Sequence, residues 1–196
     1  MSRATQLREL PLAAAPVFFG LQQVIEGLLW LNLPTAPHGA ISNALVMVFL
    51  VFAQVFWPTF APLAALCIEP LERRRRLMLP WLALGVGVSA YLLFGLLTRS
   101  PGGQITDDHI VYVTRQPYAR IIEAAYLAAI ALPLMMSSRR SVVVLGAVVL
   151  VGCAVAYEFY LEAFQSVWCF FAAAASVVIL GHFEWIRRWN VQPAPA

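Results

Sequence analysis

PLAAAPVFFGLQQVIEGLLWLNL, residues 11–33, is the stretch whose reading decides the fold. A membrane-spanning helix needs about 20 predominantly apolar residues to cross a hydrocarbon core of about 30 Å. This run has that length, yet Gln22, Gln23 and Glu26 stand in its interior. It is too long for the apolar region of a secretory leader and shows no small-residue cleavage site. We therefore read it as a bilayer span that carries polar side chains on purpose.

The rest of the chain repeats the pattern. Of 196 residues, 61% are hydrophobic and 12% charged, where a soluble domain is about a quarter charged. Mean hydropathy is +0.77, and the apolar residues fall in long runs. The expected fold is all-α: a polytopic bundle of six transmembrane helices forming one domain. The spans are expected at residues 10–33, 40–67, 77–98, 117–137, 141–164 and 166–187, followed by a flexible tail at 188–196. The connections are short except RSPGGQITDDHIVYVTRQ, residues 99–116, whose IVYVT run is expected as a short strand or a surface segment.

Charge sets the orientation. The pI of about 9.0 does not indicate nucleic-acid binding, because every cation is an arginine placed by topology. With the N-terminus inside, Arg3, Arg8, Arg73, Arg74, Arg75, Arg76, Arg139, Arg140, Arg187 and Arg188 face the cytoplasm. Only Arg99, Arg115 and Arg120 face outward. Cytoplasmic enrichment of cations then gives an N-in, C-in protein. Trp30 and Trp168 fall near the outer interface and Trp81, Trp185 and Trp189 near the inner one, where indoles settle. Ala83, Gly85, Gly87 and Ser89 form a small-residue stripe suited to helix packing.

Depth is the argument for a site. At about 1.5 Å rise per residue, Glu26 lies about 10 Å, and Glu123 and Glu158 about 9 Å, below the outer surface. Glu162 lies about 3 Å down, one turn from Glu158. An ionised carboxylate in lipid costs roughly 2.5–3.5 kcal/mol on insertion scales, so these groups are expected to turn inward and share an acidic cup. Gln22 and Gln23 share the face of Glu26, and Gln54 lies at a similar depth on the second span. His109, Asp107 and Asp108 in the outer loop form a possible metal set above it.

Other chemistries find no support in the residues. There is no phosphate-binding glycine loop, no nucleophile elbow and no HExxH. Cys67, Cys153 and Cys169 lack the spacing of a disulfide framework or zinc site. No cofactor is indicated.

GLQQVIEGLLW (20–30) and SVWCFFAA (166–173) together resemble an uncharacterised family of bacterial multi-pass membrane proteins of unknown function. The likeness continues through QVFWPTFAPLAALCIEP (54–70), HIVY (109–112) and LPLMMSS (132–138). It implies residence in the bacterial cytoplasmic membrane and marks Gln22, Gln23, Glu26, Trp30, Ser166, Trp168 and Cys169 as motif positions. Members of that family usually open with an extra apolar segment beginning Met-Cys-Phe-Ser. This chain begins MSRATQLRELPL, which implies one span fewer.

The function expected is binding or passage of a cation or proton at an outward-facing acidic site made by Glu26, Glu158, Glu123 and Glu162, with Gln22, Gln23 and Gln54 leading inward. One alternative is a non-catalytic accessory subunit, acting in a larger membrane complex or as a homo-oligomer. Another is a metal-dependent enzyme acting on a lipid. The partners expected are the bilayer, a cation or proton and a membrane protein, with no nucleic acid.

Overall fold

The computed structural model describes residues 3–106, 108–114, 117–159 and 164–191. Its helices are α1 (Arg3–Asn32), α2 (Ala40–Ile68), α3 (Glu72–Arg99), α4 (Ala119–Met135), α5 (Arg140–Phe159) and α6 (Phe164–Val191). Between α3 and α4 runs one antiparallel hairpin, β1 (Gly102–Thr106) with β2 (His109–Val113), so the fold is mostly rather than wholly helical.

Four helical stretches are long and apolar enough to cross a membrane: Leu7–Asn32, Ala40–Ile68, Glu72–Arg99 and Arg140–Phe159. Among the described residues, four of the six expected spans thus meet the requirement of length and composition. Helix α4 has 17 residues, reaching about 26 Å against a hydrocarbon core of about 30 Å. In α6 the apolar stretch found among the described residues is Ser166–Gly181.

The bundle has two distinct ends. At one, the hairpin turns Ile110 and Tyr112 into a cluster with Leu29, Leu33, Val46, Phe49 and Leu96. The Tyr112 ring stacks on Phe49 with centroids 4.5 Å apart. The loop expected as a strand or surface segment is thus a β-ribbon docked on the helix ends. At the other end, which carries most of the arginines, Glu69 follows α2 and is wholly buried. Its Oε2 accepts from Ser137 Oγ (3.0 Å) and the Ser138 amide (2.7 Å). Its Oε1 accepts from Ser138 Oγ (2.6 Å) and the Leu71 amide (3.2 Å). Arg139 donates to the Ile68 carbonyl (3.1 Å) and pairs with Glu9 (3.4 Å). These contacts clasp α1, the α2–α3 turn and the α4–α5 turn.

Helix α2 widens to a π-turn over Val51–Phe56. The Trp57 amide bonds the Phe52 carbonyl, five residues back. Pro58 has no N–H to offer the Ala53 carbonyl, so that oxygen has no donor within the helix. The Tyr126 hydroxyl of α4 supplies one. On α3, Ser89 Oγ donates to the Val55 carbonyl (2.6 Å). Gly85 lies so close to α2 that a Cβ there would stand 1.9 Å from the Pro58 oxygen. Of the expected small-residue stripe of α3, Gly85 and Ser89 pack against the proline-rich half of α2, while Ala83 and Gly87 are exposed.

Candidate functional site: a carboxyl-bearing cleft at the hairpin end

Glu26 lies on α1, six residues before the helix end, and is 5% exposed. The Gln23 amide nitrogen donates to its Oε2 at 3.3 Å, the i,i+3 contact expected on one helix face. Its Oε1 is buried and has no partner in regular hydrogen-bond geometry. Ser166 of α6 and Tyr112 of β2 lie beside the carboxyl. The Tyr112 hydroxyl is likewise buried with no partner in that geometry. Burial, and after it the neighbouring Glu26 and Cys169, hold the Tyr112 phenol far above its ordinary pKa, so it keeps its proton.

Gln23, Glu26 and Ser166 border an open cleft of about 460 Å³ between α1, α6 and the hairpin, and Tyr112 lies behind its lining. Its lining mixes polar Gln23, Glu26, His109 and Ser166 with Trp30, Val167, Phe170 and Phe171.

Gln22, one residue from Gln23, faces elsewhere. It is fully buried. Its Oε1 accepts from Trp57 Nε1 at 2.7 Å and its Nε2 donates to Cys169 Sγ at 3.0 Å. Trp57 is held in place by Phe19 of α1, whose ring stacks on it at 3.8 Å. Beyond this bridge lies a second, apolar cavity of about 70 Å³, bordered by Trp57, Tyr126, Trp168, Cys169 and the aliphatic core. The polar path expected through Gln22 and Gln54 is therefore interrupted: Gln22 plugs it, and hydrocarbon follows. Gln54 is buried within the π-turn of α2 with its Oε1 unpartnered, and it does not border the cleft.

Glu123 on α4 and Glu158 on α5 are exposed and stand outside the cleft walls. The expected meeting of three carboxylates is thus reduced to Glu26, because the buried faces of α4 and α5 carry residues such as Ala129, Leu145 and Val149 instead. Glu162 and Asp107 lie outside the described residues. Asp108 is exposed, in a left-handed turn conformation (φ 60°). Among the described residues, no three His, Cys, Asp or Glu side chains are grouped to hold a metal. Of the expected metal set His109, Asp107 and Asp108, the two described residues divide: His109 borders the cleft and Asp108 does not.

Residue reading passed over Tyr112, Trp57, Glu9 and Glu69. The first two reach the site across long sequence separations, which no local pattern encodes. Glu69 and Glu9 flank apolar runs and look like ordinary interfacial acids. The SSR triplet after α4 was the one available sign of a carboxylate partner.

The profile of a family described as a family of unknown function (DUF6629) matches residues 1–195. The chain belongs to that family. Membership carries no activity with it. No curated protein and no solved structure matches.

Proposed function

We propose that this member of the family is a six-span protein of the bacterial cytoplasmic membrane, with both termini inside, that binds a cation or proton at Glu26 from the outer side. The observation that carries the reading is the buried Glu26 carboxyl at the wall of an open cleft, with the Ser166 and Tyr112 hydroxyls beside it and its Oε1 in no regular hydrogen bond. A buried acceptor so placed is costly unless a ligand completes it. The arginine asymmetry between the two ends supports the orientation. In that orientation the hairpin is on the outer side. The interruption at Gln22 favours binding over conduction.

The test compares wild type with Glu26→Gln in lipid nanodiscs. Sodium, potassium, ammonium and a bulky control cation are titrated against thermal unfolding. Ligand binding to the folded state raises stability by RT ln(1 + [L]/Kd). Wild type should be stabilised by at least one small cation or show a coupled proton release, and Glu26→Gln should show neither. Equal responses in both proteins count against the reading.

A second reading, the accessory subunit or homo-oligomer, is favoured by one observation: Glu123 and Glu158 are exposed on apolar helices. Carboxylates turned toward lipid are costly, and a partner helix bearing donors would cover them. Mass measurement in native lipid discs checks it. A lone 21.6 kDa chain argues against it.

A further inference from the structure

We infer that the ligand of the Glu26 cleft is a protonated primary amine carried on an apolar body. The inference rests on the Glu26 reading above and goes further by naming the chemical class.

Volume and charge come first. About 460 Å³ is far larger than a bare ion needs, and lies within the few-hundred-Å³ range of small-molecule pockets. The walls supply one carboxylate and no grouped metal ligands among the described residues. One negative charge matches one positive charge, so a divalent ion is poorly served.

The hydrogen-bond inventory then selects the head group. Glu26 Oε1 has no partner in regular hydrogen-bond geometry, and Tyr112, beside the same carboxyl, does not border the cleft. Ser166 stands beside that carboxyl too. An ammonium group carries three donors and no acceptor, and the Glu26 and Ser166 oxygens can accept from it. A quaternary ammonium offers no N–H to Oε1. A guanidinium prefers both oxygens of a carboxylate in a planar fork, but Oε2 is already engaged by Gln23. A single oxygen suits a point charge. One turn from Glu26 and Ser166 on the same two helices stand Trp30 and Phe170, with Val167 and Phe171 beside them, and the Trp30 indole N–H is the one polar group among these four. These side chains suit the carbon body of the same molecule, with their aromatic faces also attractive to the cation.

Two sources share this chemistry: a free amine from outside, and the ethanolamine head of a phospholipid. The experiment uses purified wild type in phosphatidylcholine nanodiscs, with empty discs subtracted, and calorimetric titration of benzylamine, benzyl alcohol, benzyltrimethylammonium, benzylguanidine and ammonium chloride. Charge-assisted hydrogen bonds of about 1.5–3 kcal/mol correspond to roughly tenfold or more in affinity. Benzylamine should therefore bind at least about tenfold more tightly than each of the other four. Glu26→Gln should lose that advantage while unfolding at a temperature close to wild type. Nanodiscs containing phosphatidylethanolamine separate the sources: a lower apparent benzylamine affinity there identifies the lipid head, and an unchanged one identifies the free amine. The inference is overturned if the alcohol, the quaternary ion or the guanidine binds as tightly as benzylamine. If ammonium or potassium acts through Glu26 and the benzyl body adds nothing, the amine class fails and the cation reading stands. If no cation depends on Glu26, both fail. The ligand series on unmodified protein decides the matter even should Glu26→Gln prove unstable.

Discussion

The Gln22 amide accepts from an indole of α2 and donates to a thiol of α6, so one side chain on α1 ties three helices at a single point. Its neighbour Gln23 points to Glu26 and the cleft. A helical step of 100° separates the two, which is why adjacent, identical residues do different work. Interhelical hydrogen bonds in bilayers average about 0.6 kcal/mol, with a maximum near 1.7. Replacing Gln22 removes two such bonds and strands a buried Trp57 N–H. Gln22→Leu should therefore cost about 1–2 kcal/mol in a reversible unfolding titration in mixed micelles, whereas Gln23→Leu should cost less than half of that. Glu26 was legible from sequence because a lone carboxylate in an apolar run has few harmless explanations. Glu123 and Glu158 had the same depth and were judged by it alone. Depth fixes height along a helix and says nothing of azimuth, and azimuth decides whether a group faces core or lipid.

Helix ends were read less well than helix centres. The span expected at 77–98 is a helix from Glu72 to Arg99, because arginine is a good helix former and its long stem lets the charge reach water from the last turns. The π-turn of α2 was invisible: WPTFAP announces prolines but not which turn will widen to accommodate them. The packing of α3 against it gives a sharp contrast between two glycines of the same stripe. At Gly85 an added Cβ would meet the Pro58 carbonyl at 1.9 Å, while at Gly87 it would meet nothing within 4 Å. Gly85→Ala must push the helices apart, at a cost of about 1–3 kcal/mol. Gly87→Ala should be neutral or stabilising by up to about 1 kcal/mol through helix propensity. Thermal unfolding of the two variants side by side checks the pair, and equal behaviour would refute the close contact of α2 and α3.

At the level of the whole molecule, the clasp around Glu69 closes the arginine end. Burial works against its ionisation, but the donors from Ser138, Leu71 and Ser137 outweigh that and hold its carboxyl below the ordinary range. A carboxyl whose pKa is depressed on folding stabilises the protein above the unfolded value, about 4.3 for Glu, and loses that contribution as pH falls through the folded value. Wild type should therefore lose stability as pH drops below about 4, and Glu69→Gln should be less stable at pH 7 with a flatter acid limb. Unfolding temperature measured from pH 3 to pH 7 reads both. Apolar runs made the bundle legible as a bundle. Its closures, the docked hairpin and this clasp, join residues far apart in sequence and could not be seen in any window. The widened turn of α2 has a further consequence, for biogenesis. The Ala53 carbonyl finds its donor in Tyr126, 73 residues later, and Val55 finds Ser89 after 34. As the ribosome delivers the chain, α2 reaches the translocon before either donor has been made. The finished hydrogen bonding of α2 therefore depends on α3 and α4, later helices completing an earlier one.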